Sequence, residues 1–200
     1  QPQISNNDKE KLEVIYRNAN RMNYLINELL TFSKIEMKQM HISVRKGDIM
    51  HFLEELSHIF DIVAGEREID FIVSLEDTKE EVWFSPSKLE RILYNLLSNA
   101  FKYTQPGGYV RLSAKLIKEE KETMVQISVK DSGRGIPKDV QEQIFESYYQ
   151  VEKRDHREGF GLGLSLTRSL IHMHKGEIRV ESEVNKGSDF IVTLNVSEDA

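Results

Sequence analysis

The sequence predicts an α+β two-layer sandwich: three helices covering one face of a sheet, with one long helix in front of them. Three observations carry this expectation. Apolar residues recur at helical spacing in three windows between residues 47 and 174. Short segments between them alternate apolar and polar residues, which is the pattern of half-buried strands. Residues 8–40 carry a 3-4 apolar seam with no proline to interrupt it.

That seam consists of Leu12, Ile15, Ala19, Met22, Ile26 and Leu29. It fits an amphipathic helix packed on its own domain or, as the sharper reading, half of a dimeric bundle. HISVRKGDI after it reads as a short strand and a turn. Residues 47–65 read as a second helix, with Ile49, Phe52, Leu53, Leu56, Phe60 and Val63 on one face. A strand near Asp70–Leu75 follows, then the turn Ser85-Pro86-Ser87. There Ser85 is suited to cap a helix whose first turn holds Pro86. This helix runs to about Phe101, with Leu89, Ile92, Leu93, Leu96, Leu97 and Ala100 inward. Gln105-Pro106-Gly107-Gly108 is a turn. Two alternating strands come next, through Val110, Leu112, Ala114 and Leu116 and through Val125, Ile127 and Val129, joined by the exposed loop Lys118–Glu122. Residues 146–160 read as a mobile loop, and a helix runs from about Leu162 to His174. Two strands close the chain, with Ile178 and Val180, then Phe190, Val192 and Leu194.

Composition excludes several classes. The 200 residues are 39% apolar and 30% charged, enough for an ordinary hydrophobic core. There is no cysteine, hence no disulfide scaffold, zinc ribbon or thiol nucleophile, which fits a reducing compartment. A net charge of −6 argues against general nucleic-acid binding. No apolar run approaches the roughly 18 residues of a membrane span, and QPQISNNDKEK lacks the pattern of a signal peptide.

Three features carry chemistry. Asn95, Asn99 and Lys102 fall at i, i+4 and i+7, opposite the apolar stripe of their helix. Two stacked amides ending in a lysine suit a hydrated divalent cation and a polyphosphate, because Mg²⁺ takes few protein oxygens and keeps waters and phosphate oxygens. Asp131-Ser132-Gly133-Arg134-Gly135-Ile136 follows a strand directly. A carboxylate there can accept from an exocyclic amine, and the glycines allow close approach to a planar ligand. Gly159-Phe160-Gly161-Leu162-Gly163-Leu164 opens a helix whose free N–H groups can bind phosphate. Its spacing is neither a dinucleotide fingerprint nor a P-loop, and the His-Arg-Asp and Asp-Phe-Gly motifs of serine/threonine kinases are absent.

Taken in order, these stretches resemble the boxes of sensor histidine kinases. NLLSNAFKYT (95–104) resembles the N box, DSGRGI the first glycine box, IFESYYQ (144–150) the F box, and GFGLGLSL the second glycine box. Gly187-Ser188-x-Phe190 resembles the last glycine-containing box, and residues 8–40, ending in LINELLTFSKIE, resemble the second helix of the dimerisation and histidine-phosphotransfer (DHp) hairpin. The resemblance implies a Bergerat (GHKL) fold with a mixed, mostly antiparallel sheet under three helices. It implies a DHp remnant over 1–41 and a catalytic ATP-binding domain over 42–200, with a lid at about 146–160.

By the same resemblance, Asn99 would coordinate Mg²⁺ bridging the phosphates, and Asn95 would support its water shell or polarise the γ-phosphate. Lys102 would contact phosphate, and Tyr103 would lie near ribose or phosphate. Asp131 would bind the adenine amine, with Gly133, Gly135 and Ile136 around the base. Gly161, Leu162, Gly163 and Leu164 would offer amides to the phosphates. Phe145 would anchor the lid, and Ser188 belongs to the last box at the site. Related ATPases of this fold carry an acidic residue one turn before the metal-binding asparagine. Asn95 cannot act as that base, so transfer to a side chain is expected rather than efficient hydrolysis.

The sequence departs from the family in places. Ser85 stands where many members have aspartate, as a capping swap. Gln150 stands where many have arginine, leaving Lys153, Arg154 or Arg157 to supply that charge. Asp189 is an unusual charge, expected to be exposed. His41, His51, His58, His156, His172 and His174 are followed by Ile, Phe, Ile, Arg, Met and Lys. None matches the acceptor pattern of histidine followed by an acidic residue, and His174 in HKGEI reads as structural. The chain therefore reads as the back half of a kinase core, without its acceptor helix and unable to phosphorylate itself alone. Its implied partners are ATP, the DHp acceptor helix, a response-regulator receiver domain and a second copy in the full protein, with no nucleic acid and no membrane contact. The implied setting is the cytoplasmic portion of a bacterial inner-membrane sensor. A degenerate nucleotide-sensing or dimerisation module, a GHKL ATPase and a protein-serine kinase remain the alternatives.

Overall fold

The structure, a computed structural model, describes residues 42–119, 122–149 and 161–198, and within 11–37 residues 11–12, 15–16, 18–19, 22–23, 26, 29–31, 33–35 and 37. The chain divides into two compact units, Gln1–Met40 and His41–Ala200. In the first, the described residues are helical up to the turn at Met37. Leu12, Ile15, Met22, Ile26 and Leu29, all from the seam, are more than half exposed.

The second unit is the sandwich. Its strands are β1 (Arg45–Asp48), β2 (Asp70–Leu75), β3 (Glu81–Phe84), β4 (Tyr109–Lys118), β5 (Thr123–Asp131), β6 (Glu177–Glu183) and β7 (Gly187–Asn195). Its helices are α1 (Ile49–Ser57), α2 (Ile59–Arg67), α3 (Pro86–Tyr103) and α4 (Gly163–Met173). The main sheet has the order β2-β4-β5-β7-β6, with β2 parallel to β4 and the other pairs antiparallel. β1 and β3 form a separate antiparallel pair. The sheet is thus mixed and mostly antiparallel, as expected.

Alternation along the strands sends one set of side chains to the helices. Val110, Leu112, Val125, Ile127, Val129, Val192 and Leu194 are buried there, while Arg111, Lys115 and Lys130 on the other face are exposed. α3 is the spine of the helical layer. Leu89, Ile92, Leu93, Leu96, Leu97, Ala100 and Phe101 are almost fully buried, each large one contributing about 2 kcal/mol of transfer free energy. Phe101 stacks on Phe60 of α2 at 5.6 Å and meets the edge of Phe71 of β2 at 5.3 Å.

The structure corrects the sequence reading in four places. The helix expected over 47–65 is two helices, broken at His58 and ending at Arg67. Ser57 Oγ donates to the carbonyl of Glu54 at 2.7 Å, and the His58 N–H reaches the same carbonyl only at 3.4 Å; such back-bonding loosens the helical ladder. β3 was not expected: Glu81–Phe84 pairs with β1, and Trp83 N–H donates to Val196 O. Ser85 occupies the N-cap position of α3, but its hydroxyl makes no capping bond and is buried without a partner. Asp189 is half-buried, and its carboxylate accepts from Ser128 Oγ at 2.5 Å. His174 is structural: it is buried, with Nδ1 2.8 Å from Leu170 O, and burial lowers its pKa. No helix among the described residues is long and apolar enough to cross a membrane.

Candidate functional site

β5 ends at Asp131, and this strand end is the floor of the site. Asp131 is 4% exposed. Its Oδ1 accepts from the N–H of Gly133 at 2.8 Å. Burial holds its carboxyl above the usual aspartate range, the N–H groups of Gly133 and Ser188 pull it back down, and the charge of Asp189 pushes it up. Ser188 faces Asp131 across the β5–β7 ladder. Its hydroxyl lies 3.0 Å from that of Ser182, which accepts from Ile136 N–H at 2.8 Å. Asp131, Gly133, Ile136 and Ser188 therefore share one hydrogen-bonded network. A carboxylate at its centre is fitted to accept a proton donor from a ligand.

The two glycines after Asp131 make their close approaches to the protein itself. A Cβ on Gly133 would stand 2.5 Å from Tyr103 O. Gly135 has φ +68°, and a Cβ there would meet the carbonyl of Glu183 in the β6–β7 turn. These glycines let the loop seat against the end of α3 and against the hairpin, which fixes Asp131 in place.

The polar edge of α3 forms one wall. Asn95, Asn99, Lys102 and Tyr103 are all half-buried. Asn95 is tied to α4: its Nδ2 donates to Thr167 Oγ1 at 2.8 Å, and a Cβ on Gly163 would stand 2.5 Å from its Oδ1. Asn95 is thus held on the seam between the helices, and Asn99 lies one turn nearer the C-terminal end of α3. Lys102 Nζ donates to Tyr103 OH at 3.1 Å, and the Arg134 guanidinium lies over the Tyr103 ring at 4.5 Å. Arg134 is the residue that sequence reasoning passed over; the structure adds its charge to that of Lys102 at the end of α3.

The start of α4 abuts this edge at Asn95. Leu162 is its N-cap residue and is buried. The first N–H groups of the helix, at Gly163 and Leu164, have no intrahelical acceptor and suit an anion. Gly161, at φ +70°, accepts from Tyr148 N–H at 2.9 Å, and a Cβ on it would stand 2.6 Å from Tyr149 O. Phe145 is buried, meets Phe190 edge-on at 6.4 Å, and lies under the Arg168 guanidinium. The remainder of the expected lid, with Gln150, Lys153, Arg154, His156, Arg157, Gly159 and Phe160, lies outside the described residues, as does His41.

Comparison with known proteins identifies the family. The family model described as histidine kinase-, DNA gyrase B-, and HSP90-like ATPase matches residues 84–198. Among curated relatives, Histidine kinase P4 of Formosa agariphila is 34% identical over 195 residues, 95% of this chain and 14% of that protein. Sensor histidine kinase WalK of Bacillus subtilis is 34% identical over 190 residues, 94% of this chain and 31% of that one. The chain therefore spans well under half the length of either. Among solved structures, full-length ShkA in complex with AMPPNP superposes with a TM-score of 0.84 at 23% identity, covering 98% of this chain and 40% of that one; at that identity the likeness is one of fold.

Proposed function

The chain belongs to the histidine kinase-, DNA gyrase B- and HSP90-like ATPase family, and from that premise we propose that it is the ATP-binding catalytic portion of a sensor histidine kinase. Its reaction is transfer of the γ-phosphate of Mg·ATP to a histidine outside these 200 residues, for onward signalling to a response regulator. The observation that carries the reading is the buried carboxylate of Asp131 at a strand end, flanked by the polar edge of α3 and the free amides of α4.

Each residue has a role in that reading. Asp131 accepts from the exocyclic amine of adenine, with Gly133, Gly135, Ile136 and Ser188 holding its orientation. Lys102 and Arg134 place positive charge beside Tyr103, where ribose and phosphates would lie. The N–H groups from Gly161 to Leu164 face the phosphates, and Phe145 anchors the chain leading to the lid. Among the described residues no group of three His, Cys, Asp or Glu is placed to hold a metal ion. The donor set for Mg²⁺ is then the amide oxygen of Asn99 with phosphate oxygens and water, a set this ion accepts. Bound there, Mg²⁺ would neutralise charge on the phosphates, the main requirement of phosphoryl transfer. Asn95 can neither take nor give a proton at neutral pH, and its amide nitrogen is occupied by Thr167. Asn95 thus offers no base to activate water, which favours transfer over hydrolysis. Residues 1–41 would be the second DHp helix and would dimerise in the full protein, which would be a membrane-bound sensor with this portion in the cytoplasm.

Two measurements check the reading. With Mg·ATP the chain is expected to release phosphate no faster than background, and a chain extended by the upstream acceptor helix is expected to acquire an acid-labile, base-stable label on histidine. Sustained phosphate release would favour a GHKL ATPase, and label on serine a protein-serine kinase. The second measurement concerns the cation. Chelation of Mg²⁺ should weaken ATP binding by the parent chain about tenfold, roughly 1.4 kcal/mol. Asn99→Ala should bind with that weakened affinity whether or not Mg²⁺ is present. A variant that keeps the full Mg²⁺ effect in a titration would remove Asn99 from the role.

A further inference from the structure

The main sheet has two edges, and they are treated differently. β6, at one edge, carries charge at alternate positions, Glu177, Arg179, Glu181 and Glu183, all exposed. It is also covered: Gln141 Nε2 donates to Ser182 O at 2.8 Å, Ile136 N–H to Ser182 Oγ at 2.8 Å, and Asn185 N–H to Arg134 O at 2.7 Å. These devices keep other chains from pairing there.

β2, at the other edge, has none of them. Its sequence is DFIVSL, and Ile72 and Val73 are each 38% exposed. In a parallel ladder the backbone groups of alternate residues face the partner strand. Asp70 N–H donates to Gly108 O and Glu76 N–H to Ala114 O. The even-numbered residues of β2 therefore face β4, and Phe71, Val73 and Leu75 turn their N–H and C=O groups outward. No hydrogen bond to those outward groups is present among the described residues.

Beside this open edge runs a groove of about 530 Å³ between α1 and the end of β2, with Val73, Ser74 and Leu75 in its wall. Its carboxylates are Asp48, Glu54, Asp61, Glu76 and Asp77, against one lysine, Lys79. Two are partly engaged by the protein, Asp48 accepting from His51 N–H and Glu76 from Leu116 N–H. His51 lies 3.8 Å from Glu54 and His58 3.1 Å from Asp61.

We propose that β2 and this groove form a docking site for a basic peptide segment in extended conformation, taken up as a sixth strand on the sheet. Main-chain bonds to Phe71, Val73 and Leu75 give the affinity, and cationic side chains at every second position enter the acidic groove and give the selectivity. A second copy of this chain is disfavoured as the occupant, because pairing β2 with β2 brings two acidic grooves together in a chain of net charge −6. The site lies on the α1 side of the sandwich and does not depend on how the nucleotide is held.

The test uses the whole chain, ¹⁵N-labelled at pH 8, titrated with a blocked heptapeptide of alternating lysine and valine. Amide shifts should cluster at Phe71–Glu76, and exchange of the Val73 and Leu75 amides should slow at least tenfold. The same peptide N-methylated at alternate amides keeps its charge but cannot pair as a strand, and should bind at least tenfold more weakly. A glutamate–valine heptapeptide should not bind. The double variant Glu54→Lys/Asp61→Lys alters two exposed side chains and should weaken binding of the lysine peptide at least tenfold. The proposal is overturned if the lysine peptide leaves β2 unshifted, if methylation or charge reversal leaves affinity unchanged, or if β2 instead pairs with a second copy in sedimentation experiments.

Discussion

Asp131→Asn is expected to weaken adenine-nucleotide binding by roughly ten- to a hundredfold while leaving the ligand-free domain at least as stable as the parent. A hydrogen bond to an ionised group contributes about 1.5–3 kcal/mol, and an asparagine amide turned toward an exocyclic amine would set donor against donor. The stability half follows from the environment of the carboxyl. Its pKa is raised, by burial above all, over the ordinary 3.8. A carboxyl raised in this way binds its proton more tightly in the folded chain than in the unfolded one. The stability it contributes is then fully present below pH 3.8 and is lost as pH rises through the raised value. Above that raised value the parent carries the cost of a buried charge, and asparagine removes it while still accepting from Gly133 N–H. Calorimetric titration with ADP and urea denaturation of the ligand-free chain check the two halves separately. A variant that binds ADP as the parent does would take the base from Asp131; one that is much less stable would show that the charge organises the loop.

How far this site could be read from sequence depends on the range of the interaction concerned. α3 was legible because six apolar residues, Leu89 to Ala100, fall on one stripe and Asn95, Asn99 and Lys102 on the opposite edge, all within one helix. Asp131 was legible because a strand pattern stops at it. β3 escaped because four residues between a charged turn and Ser85-Pro86 form a strand only by pairing with β1, some 36 residues earlier. The break at His58 has no glycine or proline to announce it; it comes from a serine hydroxyl taking up a helical carbonyl. Arg134 stands in a glycine-rich turn, and its stacking on Tyr103 joins segments 31 residues apart in the chain. The glycines were recognised for their freedom, but what each abuts is a property of the folded chain. Gly133 and Gly135 turned out to be fitted to the protein's own carbonyls.

Gly187 shows the consequence most sharply, and Gly187→Ala is expected to destabilise the domain by about 3 kcal/mol or more. Its φ is +96°, where an L side chain is strained, and a Cβ there would run into the carbonyl of Asp131, with its carbon at 2.7 Å and Ser132 Cα at 2.8 Å. These are backbone atoms of the neighbouring strand and cannot rotate away. Relief requires β5 and β7 to part at Asp131–Ser188, the last pair of their ladder, so the displaced group is the carboxylate assigned to the base. The variant should therefore lose stability and nucleotide affinity together, whereas Asp131→Asn loses affinity alone. Gly65→Ala is the matching control: Gly65 lies in α2 with nothing within 4 Å of an added Cβ, and alanine there should stabilise by up to about 1 kcal/mol. Urea denaturation of the three variants beside ADP titration separates the effects. If Gly187→Ala keeps parental affinity once enough of it is folded, the strand end tolerates movement, and the position of Asp131 is set by the Gly133 turn rather than by the β7 strand beneath it.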